Sequence, residues 1–284
     1  MNRIIGREVF EGKYADEHEI TIHELGHGHR EISISRSVWW EHVATMTDHA
    51  YEMYLEALAN HTDDEIAERK LANLRRSARR ATTKLRRTCK VMGVDALLTL
   101  TYAFNQQDLT LCKKHLKEFV RRMRKLIPGF AYVAAFERQK RGAWHVHMAI
   151  HALPLNLAAC NGVKVKSYGV VRAVWRSVVG ELGGNIDQAR RKRNSRKTPA
   201  KMAAYISKYI LKAFEDGEDH SNRYSTSSVD MPASVRVRIM GERLEDLISL
   251  VYVGLGGDVL SSPWLSRFGD RFFVTSEPPP PWLH

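Results

Sequence analysis

A short loop between two apolar segments constrains the fold of this chain most strongly. Residues 130–138 and 143–151 have the composition of strands, and Lys140-Arg-Gly142 fits a three-residue hairpin loop with glycine in the left-handed third position. Such a loop pairs Gln139 with Ala143, and this register decides which side chains share a face. The sequence therefore predicts an antiparallel hairpin near the middle of the chain.

Three candidate metal ligands follow from this hairpin. His145 and His147 are two residues apart on one strand, so their imidazoles point to the same face. The loop places Glu137 opposite His145 and diagonal to His147, within reach of a common divalent ion that could also bind a phosphate oxygen. A register shifted by one residue would instead leave two surface histidines, with Glu137 pairing a neighbouring base on the strand.

A second group of candidate functional residues has helical spacing, since its members lie three, four and seven positions after the first. They are Tyr205, Lys208, Tyr209 and Lys212. They form one stripe of a helix predicted from Thr198-Pro199 to about Phe214. A tyrosine, with a pKa near 10, needs help with its proton or a polarised electrophile to act as a nucleophile, and a nearby lysine can stabilise the charge. The alternative is an amphipathic helix whose polar stripe lines an ordinary surface.

The net charge of +12 makes polyanions, nucleic acid first, the expected partners. The charge is clustered in residues 69–90, 113–125 and 190–197, which favours a phosphate-binding surface over a merely soluble basic protein. The candidate DNA-binding residues from these clusters and the helix stripe are Arg75, Arg76, Arg79, Arg80, Arg190, Arg191, Lys192, Arg193 and Lys212.

The remaining pattern mixes strands and helices. Strands are predicted on either side of a glycine-rich turn within residues 19–35 and at 95–102, 185–189 and 235–239. Helices are predicted within 37–90, with a capping box at Thr62-Asp-Asp-Glu65, and at 109–126, 168–182 and 242–251. The last residues, Glu277-Pro-Pro-Pro-Pro-Trp282, are expected to be extended and mobile.

Several protein classes are disfavoured. No apolar run is long enough to span a bilayer, and the start lacks a secretory signal. Cys89, Cys112 and Cys160 form neither a disulfide framework nor a metal clip, so a reducing cytosol is expected. His23-Glu-Leu-Gly-His27 matches a zinc-protease motif, but its glycine and its flanking strand patterns oppose the required helix.

Together these residues resemble the HUH endonucleases, specifically the rolling-circle replication initiators. His145-Val-His147 is similar to the family's His-hydrophobic-His motif, and Leu97-Leu-Thr-Leu-Thr-Tyr102 looks like its first motif. Tyr205-x-x-Lys208-Tyr209-x-x-Lys212 resembles the two-tyrosine motif of single-stranded-DNA phage initiators and related transposases. The histidines precede the tyrosines, as in initiators and unlike conjugative relaxases. The resemblance covers roughly residues 93–214.

The resemblance implies an α+β fold with a central antiparallel sheet and flanking helices, extended by an N-terminal helical region. We expect a hairpin and basic helices in 1–92, the nuclease core in 93–214 and an extension in 215–284. His145, His147 and Glu137 would hold Mg²⁺ or Mn²⁺. Tyr205 would nick single-stranded origin DNA of a phage or plasmid, leaving a 5′-phosphotyrosine and a 3′-hydroxyl. Lys208 would stabilise charge near the tyrosine.

Several alternatives remain within this interpretation. Tyr209 is either a second nucleophile, which would rejoin the strands, or a structural residue in a single-tyrosine site. A host polymerase would extend the 3′-hydroxyl, and a host helicase is expected because the sequence has no P-loop motif. An HUH-type transposase and a non-catalytic origin-binding regulator are the competing functions. A covalent protein–DNA adduct separates the enzymes from the regulator.

Overall fold

The computed structural model describes residues 1–60, 62–158, 162–190, 199–215 and 224–279. The chain forms two compact units. The terminal unit combines Met1–Asn73 with Pro232–His284, and the central unit comprises Leu74–Met231. The predicted division into 1–92, 93–214 and 215–284 was based on where the motifs lie. The two compact units do not test it, so it stays a prediction.

The described residues contain thirteen strands, which pair only antiparallel, and six α-helices. The strands are β1 (Asn2–Ile5), β2 (Glu8–Glu24), β3 (Arg30–Thr45), β4 (Ala96–Tyr102), β5 (Tyr132–Arg138), β6 (Trp144–Ile150), β7 (Asn156–Ala158), β8 (Lys164–Lys166), β9 (Gly184–Arg190), β10 (Tyr224–Thr226), β11 (Val235–Met240), β12 (Val259–Leu265) and β13 (Arg271–Glu277). The helices are α1 (Asp48–Ala59), α2 (Asp63–Met92), α3 (Leu109–Leu126), α4 (Ser167–Val179), α5 (Pro199–Glu215) and α6 (Leu244–Leu255). A short 3₁₀ helix, Gly180–Leu182, follows α4.

The central unit is built on a five-stranded sheet in the order β10-β5-β6-β4-β9. One face carries side chains such as Leu98 and Met148, which pack with α3 and α4 in a buried core. The other face carries Val133 and Ala135, which pack with α5 and the second half of α2. Because residues alternate between faces along a strand, the three central strands, β4, β5 and β6, contribute to both cores. An antiparallel sheet with flanking helices is thus confirmed for this unit.

The predicted hairpin is present in the central unit. Gln139 donates its backbone N–H to Ala143 at 2.9 Å, and Gly142 donates to Gln139 at 2.8 Å. Gly142 has a backbone φ of +91°, a conformation that residues with a Cβ atom rarely adopt. Glu137 therefore pairs directly with His145 in the β5–β6 register, as the loop length predicts.

Helix α5 begins at Pro199, the first helical position, where a missing N–H costs nothing. Its apolar residues Met202, Ile206 and Ile210 are buried against the sheet. Burial of each such side chain contributes about 1.5–3 kcal/mol to stability. The predicted burial of these apolar residues is confirmed, while Tyr205 is exposed and Tyr209 packs at the edge of the same core.

The terminal unit contains a six-stranded sheet in the order β1-β2-β3-β13-β12, with β11 also pairing with β2. Its apolar core joins Ile34 and Val274 on the sheet to Leu247 and Val251 on α6. Helix α2 begins with the predicted capping box, in which Glu65 N–H donates to the Thr62 hydroxyl at 3.3 Å and Thr62 N–H donates to the Glu65 carboxylate at 2.9 Å.

The predicted helix at residues 37–46 is wrong, because β3 continues to Thr45. Trp40 pairs with Gly12 and Val38 pairs with Tyr14 on β2. Valine and tryptophan favour strands, and this pairing with a distant segment overrides the helical spacing of the apolar residues. The first helix, α1, starts only at Asp48, with Thr47 as its capping residue.

Other predicted elements match within a few residues: β4, α3, α4, β9, β11 and α6. The predicted mobile tail starts too early, because Glu277 is the buried last residue of β13. Residues from 280 onward lie outside the described residues, and so does Cys160. Within the described residues, none of the helices combines the length and the apolar character required to cross a bilayer.

Candidate active site

Three predicted metal ligands lie together on one face of the central sheet. One ligand atom each from Glu137, His145 and His147 fall within 4.8 Å of one another. Glu137 and His147 are buried, and Nε2 of His147 lies 2.7 Å from a carboxylate oxygen of Glu137. Within the described ranges, no other group of three or more histidine, cysteine or acidic residues converges in this way.

The His145 side chain provides the test of whether an ion fits. Its Nε2 atom is buried and has no hydrogen-bond partner within the described part of the chain. A buried polar atom without a partner costs about 1–3 kcal/mol, so its retention calls for a functional reason. A metal ion bound by the imidazole nitrogen would satisfy it. The donor set of two imidazoles and one carboxylate therefore fits a divalent ion.

The orientation of His147 is set by a neighbouring strand. Thr99 on β4 pairs directly with His147 on β6, and its hydroxyl lies 3.2 Å from Nδ1. With Nδ1 engaged, Nε2 is the nitrogen directed toward Glu137 and the candidate ion. Partners of this kind orient ligand histidines in metal sites generally. The sequence prediction noted the threonines of this strand but not this contact.

The protonation states suit metal binding. Burial lowers the pKa of both His145 and His147, so both rings are neutral at neutral pH. Burial opposes ionisation of Glu137, but hydrogen bonds from Lys212 and His147 outweigh it and hold the pKa below its ordinary value. Neutral imidazoles and an ionised carboxylate are the forms that bind a cation.

Lys212, predicted to bind DNA, instead contacts a candidate metal ligand. Its ammonium donates a hydrogen bond to the second carboxylate oxygen of Glu137 at 2.5 Å. The lysine thus bridges the tyrosine helix to the metal-ligand group. The sequence prediction missed this contact, because residues 75 positions apart meet only through the packing of α5 on the sheet.

The two tyrosines of α5 lie beside the candidate metal ligands. The Tyr209 ring stacks on His147, with ring centroids 3.6 Å apart and planes inclined by 16°. The hydroxyl of Tyr205 is 2.7 Å from that of Tyr209. Burial, then the hydrogen bond with Tyr205, raises the pKa of Tyr209, so its phenol stays protonated at neutral pH. Tyr205 is 40% exposed and can be reached from solvent.

The other residues of the predicted site lie on the surface where the structure describes them. Lys208 is exposed on α5 and makes no hydrogen bond or ion pair with another residue that the structure describes. The basic residues predicted on α2 are also exposed: Arg75, Arg76, Arg79 and Arg80. They follow the outer side of the helix, since Ala78 and Ala81 are buried. Arg190 is the last residue of β9, and three further predicted residues lie outside the described ranges: Arg191, Lys192 and Arg193.

The discounted zinc-protease motif does not lie on a helix. Strand β2 ends at Glu24, and β3 begins at Arg30. His27 between them has φ of +49°, which is a turn conformation. Histidines arranged in this way cannot share the helical face that the protease motif requires, so the expectation drawn from Gly26 and the flanking strands is confirmed.

Similarity to known proteins is limited to the middle of the chain. No curated protein and no solved structure matches this chain. Residues 95–214 match the model of the ORF2 family of replication-associated proteins. The matched segment begins just before β4 and ends in α5, so it contains Thr99, the three candidate ligands and both tyrosines. The match supports a replication protein similar to the rolling-circle initiators.

Proposed function

We propose that this chain is an HUH-type initiator that nicks single-stranded DNA at a rolling-circle origin and rejoins the strands. One observation carries the proposal: the Tyr209 ring stacks directly on His147, one of three converging ligands, and its hydroxyl contacts Tyr205. A nucleophile and a cation site are thereby adjacent on one face of the sheet. The family match over residues 95–214 supports the same function.

Glu137, His145 and His147 would hold the ion, either Mn²⁺ or Mg²⁺. When bound, a divalent ion withdraws negative charge from the phosphate and orients it. Two imidazoles are unusual ligands for Mg²⁺, which prefers oxygen, so the donor set favours Mn²⁺. Thr99 keeps Nε2 of His147 turned toward this position by engaging Nδ1.

Tyr205 is the proposed first nucleophile, because its hydroxyl is accessible while the Tyr209 ring is packed on His147. Its phenolic oxygen forms a bond to phosphorus, and the bond from phosphorus to the 3′ oxygen breaks. The phenol proton is released and the departing 3′ oxygen takes up a proton. The products are a 5′-phosphotyrosine and a free 3′-hydroxyl, which a host polymerase would extend.

Neighbouring groups would assist this step. Tyr209 can donate its hydroxyl hydrogen bond to the Tyr205 oxygen as that oxygen becomes an anion, which favours the charged form. It would also serve as the second nucleophile when the strands are rejoined. Lys208 lies one turn from Tyr205 and would stabilise negative charge at the phosphate. The exposed arginines of α2 would bind the DNA backbone.

The test is formation of a covalent adduct. The protein is incubated with Mn²⁺ and a pool of single-stranded DNA that has a randomised internal segment, and adducts are resolved on a denaturing gel. Tyr205→Phe should abolish most of the adduct, whereas the control Tyr168→Phe, an exposed tyrosine of α4, should not. An adduct that persists when Tyr205 and Tyr209 are both changed to phenylalanine would contradict the proposal.

A further inference from the structure

A cavity of about 260 Å³ adjoins the candidate site in the central unit. It lies between the sheet and α5, and Tyr205 and His147 are among its lining residues. Pockets for drug-sized ligands usually measure roughly 300–1,000 Å³, so this one suits a smaller group. A group bound there would be next to the hydroxyl proposed to attack the phosphate.

The sheet forms the floor of this cavity in a defined register. Asp187 on β9 pairs with Thr99 on β4, and Thr99 pairs with His147 on β6. Directly paired residues share a face, so Asp187 lies on the same face as the metal ligands. Two strand spacings separate it from His147, roughly 10 Å in all. This distance leaves Asp187 outside the metal-ligand group.

The walls are apolar and suit a flat ring. Leu97 and Ala189 line the cavity from the sheet, and Met202 and Ile206 line it from α5. Such side chains contact both faces of an inserted ring and remove it from water, which is favourable in proportion to the buried apolar area. Lys201 also lines the cavity and adds positive charge close to where a flanking phosphate would lie.

Asp187 supplies the polar group that can read the ring. Its side chain is exposed to the cavity and makes no hydrogen bond or ion pair within the described parts of the chain. A carboxylate accepts hydrogen bonds and donates none, so it selects a ring that presents an amino group. Among the bases, cytosine is the usual partner of aspartate and glutamate through its N4 amino group.

We infer that this cavity binds the base of a nucleotide that adjoins the scissile phosphate, and that Asp187 makes it selective for cytosine. The inference rests on the proposed nicking function, because that function places the phosphate at Tyr205. Apolar side chains of the sheet and of α5 would hold the ring, while the Asp187 carboxylate would accept a hydrogen bond from N4. Asp187 would then be a specificity residue rather than a catalytic one.

The test is to sequence the DNA ends of covalent adducts formed from the randomised pool. For the wild type, one position beside the cut should be enriched in cytosine over thymine by about tenfold. Asp187→Asn and Asp187→Ala should lose that preference and keep the preferences at all other positions. Asp230→Asn, the same change at another exposed aspartate of the central unit, should behave like the wild type. An unchanged preference in both Asp187 variants would overturn the inference.

A second measurement separates this inference from the proposed function. Binding of oligo-dC and oligo-dT is measured without metal for the wild type and Asp187→Ala. Tighter binding of oligo-dC that is lost in the variant supports the cavity, even if the wild type forms no adduct and the nicking function fails. If both proteins bind the two oligomers equally, the cavity does not read a base, whatever the adduct assay gives.

Discussion

The two compact units differ in the sign of their charge. The central unit holds 32 Lys and Arg against 11 Asp and Glu, whereas the terminal unit holds 12 against 21. The positive net charge of the chain therefore comes from the central unit, and the terminal unit is acidic. Because phosphate binding depends on cations, we expect DNA to bind the central unit.

The sheet faces covered by α6 and by α5 also differ in the residues that they bury. In the terminal unit the core under α6 is built from apolar residues such as Ile34 and Val251. In the central unit the face under α5 also carries Glu137 and His147, both buried. Buried polar groups cost stability unless they are paired. The terminal sheet also buries polar residues such as Glu31 and Ser276, but only in the central unit do buried groups converge as candidate metal ligands among the described residues. The following predictions test whether function depends on this convergence.

The largest effect is expected from the histidines. His147→Ala should reduce the rate of adduct formation more than ~100-fold, since loss of a ligand exceeds the 10–100-fold cost of losing a group that only orients one. His27→Asn in the terminal unit should have little effect, because asparagine tolerates the positive φ of that turn. Mn²⁺ affinity, measured by calorimetry, should follow the same pattern. Equal loss of affinity in both variants would place the metal site elsewhere.

An intermediate effect is expected from two lysine–glutamate pairs. Lys212→Met removes the ammonium from the buried carboxylate of Glu137 and should lower the free energy of unfolding by about 1–3 kcal/mol. Lys13→Met breaks the exposed pair with Glu41 in the terminal unit and should not measurably change it. Urea unfolding provides the measurement. A loss that is as large for Lys13→Met as for Lys212→Met would remove the distinction between the two units.

The smallest effect concerns DNA affinity. Changing Arg79 and Arg80 together to alanine should weaken single-stranded DNA binding about three- to tenfold and reduce the salt slope by up to about 1.4. The matched pair Arg236 and Arg267, exposed in the terminal unit, should bind as the wild type does when changed to alanine. Fluorescence anisotropy at several salt concentrations gives both quantities. A slope reduced only by the terminal-unit pair would reverse the assignment of DNA binding.

Local features of the sequence predicted much of the central unit. The length of the loop ending at Gly142 gave the register of Glu137 and His145, because a hairpin turn determines which residues pair. The helical spacing of Ile206 and Ile210 likewise predicted which face of α5 is buried. By contrast, Trp39 and Val43 had helical spacing but lie in β3, since pairing with a distant strand outweighed the local pattern.

The sequence by itself determined the hairpin register, the apolar face of α5 and the basic character of the chain, because each depends on residues close together or on composition. Only the tertiary structure decided that Tyr209 stacks on His147, that Lys212 reaches Glu137 and that Asp187 lies in line with Thr99. These contacts join residues far apart in the chain. They depend on how α5 and β9 pack and pair around the sheet, and no local spacing encodes that.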